Sequence, residues 1–192
     1  MRTLKLQAQM TLDGFVGGPN GEMDWMTMPW TDDVNAYVEG LLKNVDCMLL
    51  GRKLAQGFIP YWAGVADDKD NPEQSSGKYF TNLRKVVFSN SLDESPWADK
   101  NATLASGDLV EAVNRLKQEE GGDLYVCGGA TFVSELIRHN LIDEYHLFIN
   151  PVAIGKGLPI FDKLENRQNL KLLKSLSFQC GITVLNYVSD WD

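Results

Sequence analysis

The sequence has few of the residues that build metal centres and disulfide frameworks. Its 192 residues include three cysteines and two histidines. Cys47, Cys127 and Cys180 are spaced far too widely for a CxxC metal motif, and their odd number favours reduced thiols in a cytoplasmic protein. With His139 and His146 as the only histidines, we expect no metal site. A catalytic set that pairs a serine or cysteine nucleophile with a histidine would have to use one of these two residues.

An excess of basic charge and long apolar runs are also missing. The net charge is −8 and the sequence pI is about 4.8, which argues against binding to nucleic acid or to an anionic membrane surface. No apolar run approaches the ~20 residues of a membrane span, and the N-terminal residues alternate instead of forming a signal-peptide core. We therefore expect a cytoplasmic protein with neither a nucleic acid nor a membrane partner.

The composition is typical of a globular protein, with 44% hydrophobic and 23% charged residues. A chain of this length is expected to bury roughly 70% of its unfolded surface without disulfides or metals. There is no internal repeat, low-complexity tract or linker. The sequence therefore predicts one domain over residues 1–192.

Apolar patterning predicts strands that alternate with helices. In residues 3–10, apolar and polar residues alternate, which predicts a first strand with one buried face. Continuous apolar runs at residues 45–50 and 124–127 predict strands buried on both faces, as in a parallel sheet. Residues 170–178 and 182–188 predict a terminal hairpin. Together these elements predict an α/β fold with a mostly parallel central sheet and a C-terminal antiparallel hairpin.

Helix signals lie between these strands. Thr31 is a predicted N-cap with Asp32 and Asp33 in the first helical turn, and Asp108 with Glu111 forms a capping-box-like start. Residues 54–58 predict a short helix. The polar, proline-containing residues 59–76 predict a surface loop.

Three predicted strands end in small, polar or basic residues: Gly51-Arg52-Lys53, Ser89-Asn90 and Gly128-Gly129-Ala130-Thr131. Ligands of α/β sheets bind at the carboxyl ends of strands. Arg52 and Lys53 offer charge for a phosphate monoester, and the Gly-Gly turn before a helix offers backbone donors for a diphosphate. We therefore predict that these nine residues bind one phosphorylated dinucleotide such as NADPH.

Each strand end also has a plainer interpretation. Arg52 and Lys53 also fit a solvated helix start, Ser89 fits a strand-end cap, and Gly128–Gly129 fits a tight turn. The usual nucleotide fingerprints are absent, since Gly128-Gly129-Ala130 does not complete GxGxxG and residues 154–157 do not form a Walker loop.

The long glycine-rich segment of residues 11–30 is a candidate substrate loop, because loops of this length tend to bind ligands. Asp13 is the candidate catalytic residue, placed to orient an amino-pyrimidine edge or to relay a proton. Trp25, Trp30 and Asp33 are the candidate substrate-binding residues. Each candidate has an alternative interpretation. Asp13 also fits a turn residue in an Asp-Gly pair, and Asp33 fits a carboxylate that interacts with the helix dipole. The two tryptophan rings also fit aromatic side chains that pack on the body of the protein.

Five segments together resemble the dihydrofolate reductase superfamily, and most closely the stand-alone relatives of the reductase domain of riboflavin-biosynthesis deaminase-reductases. They are Met10-Thr-Leu-Asp13-Gly14-Phe15, Leu50-Gly51-Arg52-Lys53, Val87-Phe-Ser89, Val126-Cys-Gly128-Gly129-Ala130, and Pro151-Val with Gly155-Lys-Gly157-Leu-Pro159-Ile-Phe161. The resemblance covers nearly the whole chain and keeps the order of the family's motifs.

The resemblance implies a three-layer dihydrofolate reductase-like sandwich, NADPH as cofactor, and hydride transfer to a heterocyclic or ribosylaminopyrimidine-type substrate. It also implies a homodimer. Leu54 and Asn90 stand where the family has threonine and arginine, a change expected to weaken NADPH binding unless Lys53 compensates. The alternatives to a 5-amino-6-(5-phosphoribosylamino)uracil reductase-like enzyme of riboflavin biosynthesis are a dihydrofolate reductase and a nucleotide-binding module without turnover.

Overall fold

The computed structural model describes residues 1–190 and contains strands and helices in alternation. The strands are β1 (Leu4–Thr11), β2 (Val45–Gly51), β3 (Arg84–Phe88), β4 (Ala102–Ala105), β5 (Asp123–Val126), β6 (Glu144–Asn150), β7 (Leu170–Ser177) and β8 (Thr183–Ser189). The α-helices are α1 (Asp32–Leu42), α2 (Arg52–Asp67), α3 (Gln74–Asn82), α4 (Leu109–Gln118) and α5 (Ala130–Arg138).

The strands belong to one mostly parallel sheet. β2 pairs with β3, β3 with β4, and β1 with β6, all in parallel, whereas β8 pairs antiparallel with both β6 and β7. The predicted α/β class, with a C-terminal antiparallel hairpin, is confirmed.

Backbone contacts divide the chain into two compact units, which we describe separately. The first contains residues 1–2 and 46–124, and the second contains residues 3–45 and the remainder of the described chain from Tyr125. The prediction of a single domain stays a prediction.

In the first unit, the predicted short helix and surface loop are wrong. α2 runs for 16 residues with Pro60 inside it, and α3 begins at Gln74, within the last three residues of the predicted loop. Phe58 and Trp62 of α2 pack against Phe80 of α3, with ring centroids 5.4 and 4.9 Å apart. This aromatic packing offsets the hydrogen bond that proline cannot donate, so tertiary contacts override the local signal.

The two helices also approach closely at Gly77. A Cβ atom on this glycine would lie only 2.6 Å from the backbone nitrogen of Ala66. The missing side chain therefore permits the contact. Elsewhere in this unit the predicted cap of α4 is confirmed, because the Asp108 carboxylate accepts a hydrogen bond from the Glu111 N–H at 2.9 Å.

In the second unit, the predicted buried face of β1 is confirmed, and its polar face is partly buried as well. Gln7 is buried although it belongs to the polar set of the alternation. It is stabilised there by a hydrogen bond of 2.8 Å that the Tyr125 hydroxyl donates to Gln7 Oε1. On the polar face of β1, Gln7 and Thr11 are therefore buried, whereas Lys5 and Gln9 are half-buried.

α1 covers part of the same unit. Its Val34 is fully buried with Phe148, Ile182 and Val184. Thr31 occupies the predicted N-cap position, but its side chain does not cap the helix. Its hydroxyl instead donates to Asp33.

The segment of residues 151–161 packs against the glycine-rich loop. Val16 N–H donates to the Leu158 carbonyl at 2.9 Å, and Leu158 N–H donates to the Gly17 carbonyl at 2.8 Å. A Cβ atom at Gly157 would lie 2.3 Å from the Gly17 oxygen. The glycine at position 157 is therefore required by this contact.

Candidate functional site

The carboxyl ends of three parallel strands lie in register in the first unit. Gly51 is paired with Phe88, and Phe88 is paired with Ala105. Arg52 and Ser89, the next residues along β2 and β3, therefore leave the sheet at the same edge. The structure brings together these two predicted cofactor-binding residues.

Arg52 and Lys53 form the first turn of α2, whose N-cap is Gly51. This turn contains no acidic residue. Two cations at the positive end of a helix dipole are disfavoured by about 0.3–1 kcal/mol each. An anion bound at this turn relieves that repulsion, and Arg52 and Lys53 are suited to hold a phosphate.

Ser89 and Asn90 continue this edge. Ser89 Oγ lies 3.2 Å from Ser91 Oγ and accepts a hydrogen bond of 3.2 Å from the Ser91 N–H. Asn90 Oδ1 accepts a hydrogen bond of 2.7 Å from the Gly107 N–H. The Asn90 amide oxygen therefore stabilises the loop after β4. The predicted contact of Asn90 with the cofactor stays a prediction, and the amide nitrogen is the group that would make it.

The Gly-Gly turn lies in the second unit, directly after β5. Gly128 and Gly129 have φ angles of 155° and 78°, and Gly129 is the N-cap of α5. A φ of 78° is a left-handed conformation that glycine adopts without a steric penalty. The turn thus places the N-terminus of α5, with Ala130 and Thr131 in its first turn, directly after the end of a buried strand, and free N–H groups at a helix start suit an anion.

Asp13 lies at the surface, where its carboxylate accepts hydrogen bonds from Gly155 N–H at 2.7 Å and Ile154 N–H at 3.1 Å. The hydrogen bond with the Thr11 side chain lowers the pKa of Asp13, and the two backbone donors lower it further. These contacts make Asp13 a brace between the glycine-rich loop and residues 151–161. A lowered pKa does not suit a proton relay at neutral pH, so the catalytic role stays a prediction with a competing explanation.

Asp33 is engaged in a similar way. Its carboxylate accepts hydrogen bonds from the Thr31 hydroxyl, from Val34 N–H at 3.0 Å and from Gln179 N–H at 3.0 Å. The Thr31 hydroxyl is the main cause of its lowered pKa. Asp33 thus connects the start of α1 to the β7–β8 turn.

The two candidate tryptophans differ. Trp25 donates its indole N–H to the Glu22 carbonyl at 3.0 Å. The Trp30 ring stacks on Phe148 of β6, with centroids 6.2 Å apart and an interplanar angle of 19°. Trp30 therefore belongs to the covered face of the second unit, whereas the indole N–H of Trp25 serves its own loop.

Sequence reasoning missed a line of amides on this face. Thr27 N–H donates to Asn150 Oδ1 at 2.9 Å, and Asn150 Nδ2 donates to Gln9 Oε1 at 3.0 Å. Asn150 is completely buried. A buried asparagine and glutamines in a core strand are the sequence signal that could have indicated a polar site.

A second polar group, also missed, lies beside these amides. Tyr37 Oη is 2.7 Å from His146 Nδ1, and His146 Nε2 is 3.1 Å from Glu144 Oε1. Burial raises the pKa of Tyr37 to about 12, so its hydroxyl stays protonated and forms a hydrogen bond with Nδ1 whose direction depends on the tautomer of His146.

Among the residues from 1 to 190, there is no cluster of three or more histidine, cysteine or acidic side chains placed to hold a metal ion. Over the same residues, every helix is too short or too polar to cross a membrane. The three cysteines are free.

Comparison with solved structures defines the fold. The dihydrofolate reductase of Enterococcus faecalis, solved as a complex with NADP(H), matches with a TM-score of 0.63 at 13% identity over 98% of this chain and 96% of that one. A putative riboflavin biosynthesis protein from Shewanella sp. PV-4 matches with a TM-score of 0.78 at 24% identity over 99% of both chains. The protein therefore has a dihydrofolate reductase-like α/β fold.

Residues 2–184 match the model of the RibD C-terminal domain, and the chain belongs to that family. The uncharacterized protein YyaP of Bacillus subtilis (strain 168) is 32% identical over 97% of this chain and 94% of its own length. A Thermotoga maritima diaminohydroxyphosphoribosylaminopyrimidine deaminase/5-amino-6-(5-phosphoribosylamino)uracil reductase matches with a TM-score of 0.69 at 20% identity, over 98% of this chain and 57% of that one. The resemblance stated from the motifs is confirmed.

Proposed function

We propose that this protein is an NADPH-dependent reductase that transfers hydride to a ribosylaminopyrimidine-type heterocycle. The observation that carries the proposal is the shared register of Gly51 and Phe88, because it puts Arg52 and Ser89 at one strand edge. Membership in the RibD C-terminal family supports the class of reaction.

The donor chemistry fits NADPH. Arg52 and Lys53 at the start of α2 suit the phosphate monoester that distinguishes NADPH from NADH, and Ser89 adds a hydroxyl at the same edge. The Gly128–Gly129 turn suits a diphosphate. The assignment of both turns to one cofactor comes from the order of the sequence motifs, and its test is the effect of variants in each turn on the same ligand.

When bound, NADPH supplies the hydride. The contribution of the protein is to orient the substrate ring and to exclude water from it. The partly buried ring of Trp30, which stacks on the buried Phe148, is proposed as an apolar wall for a flat ring. Leu54 and Asn90, in place of the threonine and arginine of the resemblance, are expected to weaken cofactor binding, and Lys53 is proposed to compensate.

The test is NADPH oxidation by the purified protein, followed through the absorbance of the reduced nicotinamide. We expect oxidation with 5-amino-6-(5-phosphoribosylamino)uracil and none with dihydrofolate. Turnover with dihydrofolate alone would make the protein a dihydrofolate reductase instead. Saturable NADPH binding without turnover on pyrimidine, pterin or folate substrates would support the nucleotide-binding module. No binding at all would contradict the proposal.

We further propose a cytoplasmic homodimer that uses β7. This strand lies at the end of the sheet, and its residues from Lys171 onward are all exposed. They include Leu172, Leu173 and Leu176, which are 49%, 49% and 37% exposed. An exposed edge strand with apolar side chains is a pairing surface, and a two-fold axis lets two copies cover each other.

A further inference from the structure

A polar cavity lies in the second unit, at the far end of α5 from the Gly128–Gly129 turn. It is lined by residues 138–140 at the end of α5 and by residues 164–168, and its volume is about 200 Å³. One water occupies about 30 Å³ in the liquid, so the cavity has room for several waters or for one small polyatomic ion. α5 has nine residues and is therefore about 13 Å long, which separates the cavity from the turn proposed to bind a diphosphate.

The cavity contains one cation without a counter-ion. Arg138 is neutralised, because its Nε donates to Glu165 Oε1 at 3.0 Å and its Nη2 donates to the same oxygen. Arg167 also lines the cavity, but it forms no ion pair or side-chain hydrogen bond with any residue from 1 to 190. In a chain with a net charge of −8, an unpaired guanidinium beside a cavity favours an anion there.

Neutral donors accompany Arg167. The side-chain amides of Asn140 and Asn166 line the same cavity, and neither forms a hydrogen bond within the described part of the chain. Each amide has two N–H donors, and together with a guanidinium they are suited to the oxygens of a tetrahedral oxyanion. The negative end of the α5 dipole opposes an anion, but its effect is weaker than a hydrogen bond from a charged donor.

Gln168 adds an acceptor, and its orientation is fixed by its neighbours. Its Nε2 donates to Tyr145 Oη at 3.1 Å. The Tyr145 hydroxyl keeps its proton, because burial raises its pKa to about 12, and it also forms a hydrogen bond with the Ser189 side chain. Ser189 donates its own proton to the Ile142 carbonyl at 2.7 Å. Ser189 therefore accepts from Tyr145, Tyr145 accepts from Gln168, and the Gln168 amide cannot be flipped.

Gln168 Oε1 is consequently the atom that lacks a donor. It is buried and has no hydrogen-bond partner within residues 1–190, although its side chain lines the cavity. A buried acceptor without a partner is costly, and a ligand that brings a proton into the cavity removes that cost. An anion without a proton does the opposite, because its oxygens face the amide oxygen. The lining groups therefore call for a negative charge and an O–H donor in one small ligand.

We propose that this cavity binds hydrogen phosphate. Arg167 and the amides of Asn140 and Asn166 donate to the phosphate oxygens. The P–OH group of the ion donates to Gln168 Oε1. This site goes beyond the proposed reductase, because none of these residues belongs to the predicted cofactor or substrate sites. Sulfate is also tetrahedral but has no proton at neutral pH, and a site built to hydrogen-bond an O–H group rejects an analogue without it.

The test is calorimetric titration of the purified protein at pH 7 with inorganic phosphate and, separately, with sulfate at matched ionic strength. Phosphate is expected to bind saturably and at least about tenfold more tightly than sulfate. Equal affinities, tighter binding of sulfate, or no binding of phosphate would overturn the inference.

Two variants assign the binding to this cavity. Arg167→Gln removes the unpaired cation and is expected to weaken phosphate about 10- to 100-fold, as the loss of a hydrogen bond from a charged group implies. Gln168→Met removes the acceptor and keeps the length of the side chain, so the preference for phosphate over sulfate is expected to disappear. Lys43→Gln is the matched control, because it removes one exposed charge of the same unit and is expected to change neither affinity.

Arg52→Ala separates this cavity from the proposed cofactor site, where a phosphate group is also expected to bind. Phosphate affinity that is kept in Arg52→Ala and lost in Arg167→Gln supports the inference, and the reverse pattern would overturn it. An unchanged phosphate-to-sulfate ratio in folded Gln168→Met would also overturn it, and if that variant does not fold, Arg167→Gln decides the question. Because no titration contains NADPH, a failure of cofactor binding would contradict the proposed reductase and leave the result for this cavity standing.

Discussion

Asn150 and Gln9 are joined by a hydrogen bond of 3.0 Å from Nδ2 to Oε1, and this contact sets the orientation of the Gln9 side-chain amide. Asn150 is completely buried, and its side chain touches four groups. It is therefore a positioning residue for Gln9 as well as a structural one.

Asn150→Asp is expected to reduce the free energy of unfolding by about 3–5 kcal/mol at neutral pH, because it leaves a buried carboxylate among acceptors. Burial raises the pKa of such a carboxyl group, so the lost stability is expected to return partly as the pH falls and the group becomes protonated. Urea denaturation over a pH series measures this. Asn35→Asp, at an exposed position, is the control. Equal losses of unfolding free energy in the two variants would contradict the structural role of the buried Asn150 amide.

Asp13→Asn tests whether this residue is a brace or a catalyst. The amide keeps one acceptor for the turn at Ile154 and Gly155, so we expect a lower Tm with turnover reduced no more than about tenfold, less than the 10²–10⁴-fold typical of a lost general acid or base. Steady-state kinetics and thermal unfolding of the same preparation decide it. An unchanged Tm together with a loss of kcat of about 10²–10⁴-fold would instead support the predicted catalytic role of Asp13.

Lys85 makes stability depend on pH. Burial lowers its pKa from 10.5 to about 8, although its ammonium donates to the carbonyls of Leu83 and Thr81. Between these two pKa values the unfolded chain binds a proton that the folded chain does not, so stability rises with pH in that window. The contribution amounts to about 3 kcal/mol.

Comparison with Lys85→Met isolates this contribution from thiols and phenols that titrate in the same range. From pH 8 to pH 10.5, the free energy of unfolding of the wild type is expected to rise by about 3 kcal/mol relative to that of Lys85→Met. Lys78→Met, at an exposed lysine, is expected to show no such shift. A flat difference for Lys85→Met would contradict the assignment.

The exposed leucines of β7 give a prediction about assembly. Leu173 lies at the irregularity between Leu172 and Lys174 and is 49% exposed. If β7 forms the dimer contact, the wild-type protein sediments as a dimer at micromolar concentration and Leu173→Glu sediments as a monomer. Lys171→Glu controls for charge on the same strand. A monomeric wild-type protein would refute the proposed dimer.

The parts of the fold that the sequence predicted well are those with a strong local signal. Continuous apolar runs identified β2 and β5, and Gly128–Gly129 marked the start of α5, because only glycine adopts that backbone without strain. The helix across Pro60 was missed because aromatic contacts with Phe80, far along the chain, stabilise it. Such contacts leave no local pattern.

The site was predicted less completely for the same reason. Arg52 and Ser89 were found because strand ends are recognisable in a sequence. Gln9 belongs to the polar set of an alternating strand for which only the apolar face was predicted to be buried. Only the contact with Asn150, which is 141 residues away, shows that it belongs to the interior.

The most direct test of the account is a titration with NADPH and NADH, followed through tryptophan emission. We expect saturable binding of NADPH, and we expect Arg52→Ala to weaken NADPH about 10- to 100-fold, as the loss of a hydrogen bond to a charged group implies, with a much smaller effect on NADH. Arg167→Ala, at an exposed arginine, is expected to leave both affinities unchanged. No NADPH binding by folded wild-type protein, or equal losses of NADPH and NADH affinity in Arg52→Ala, would contradict the account.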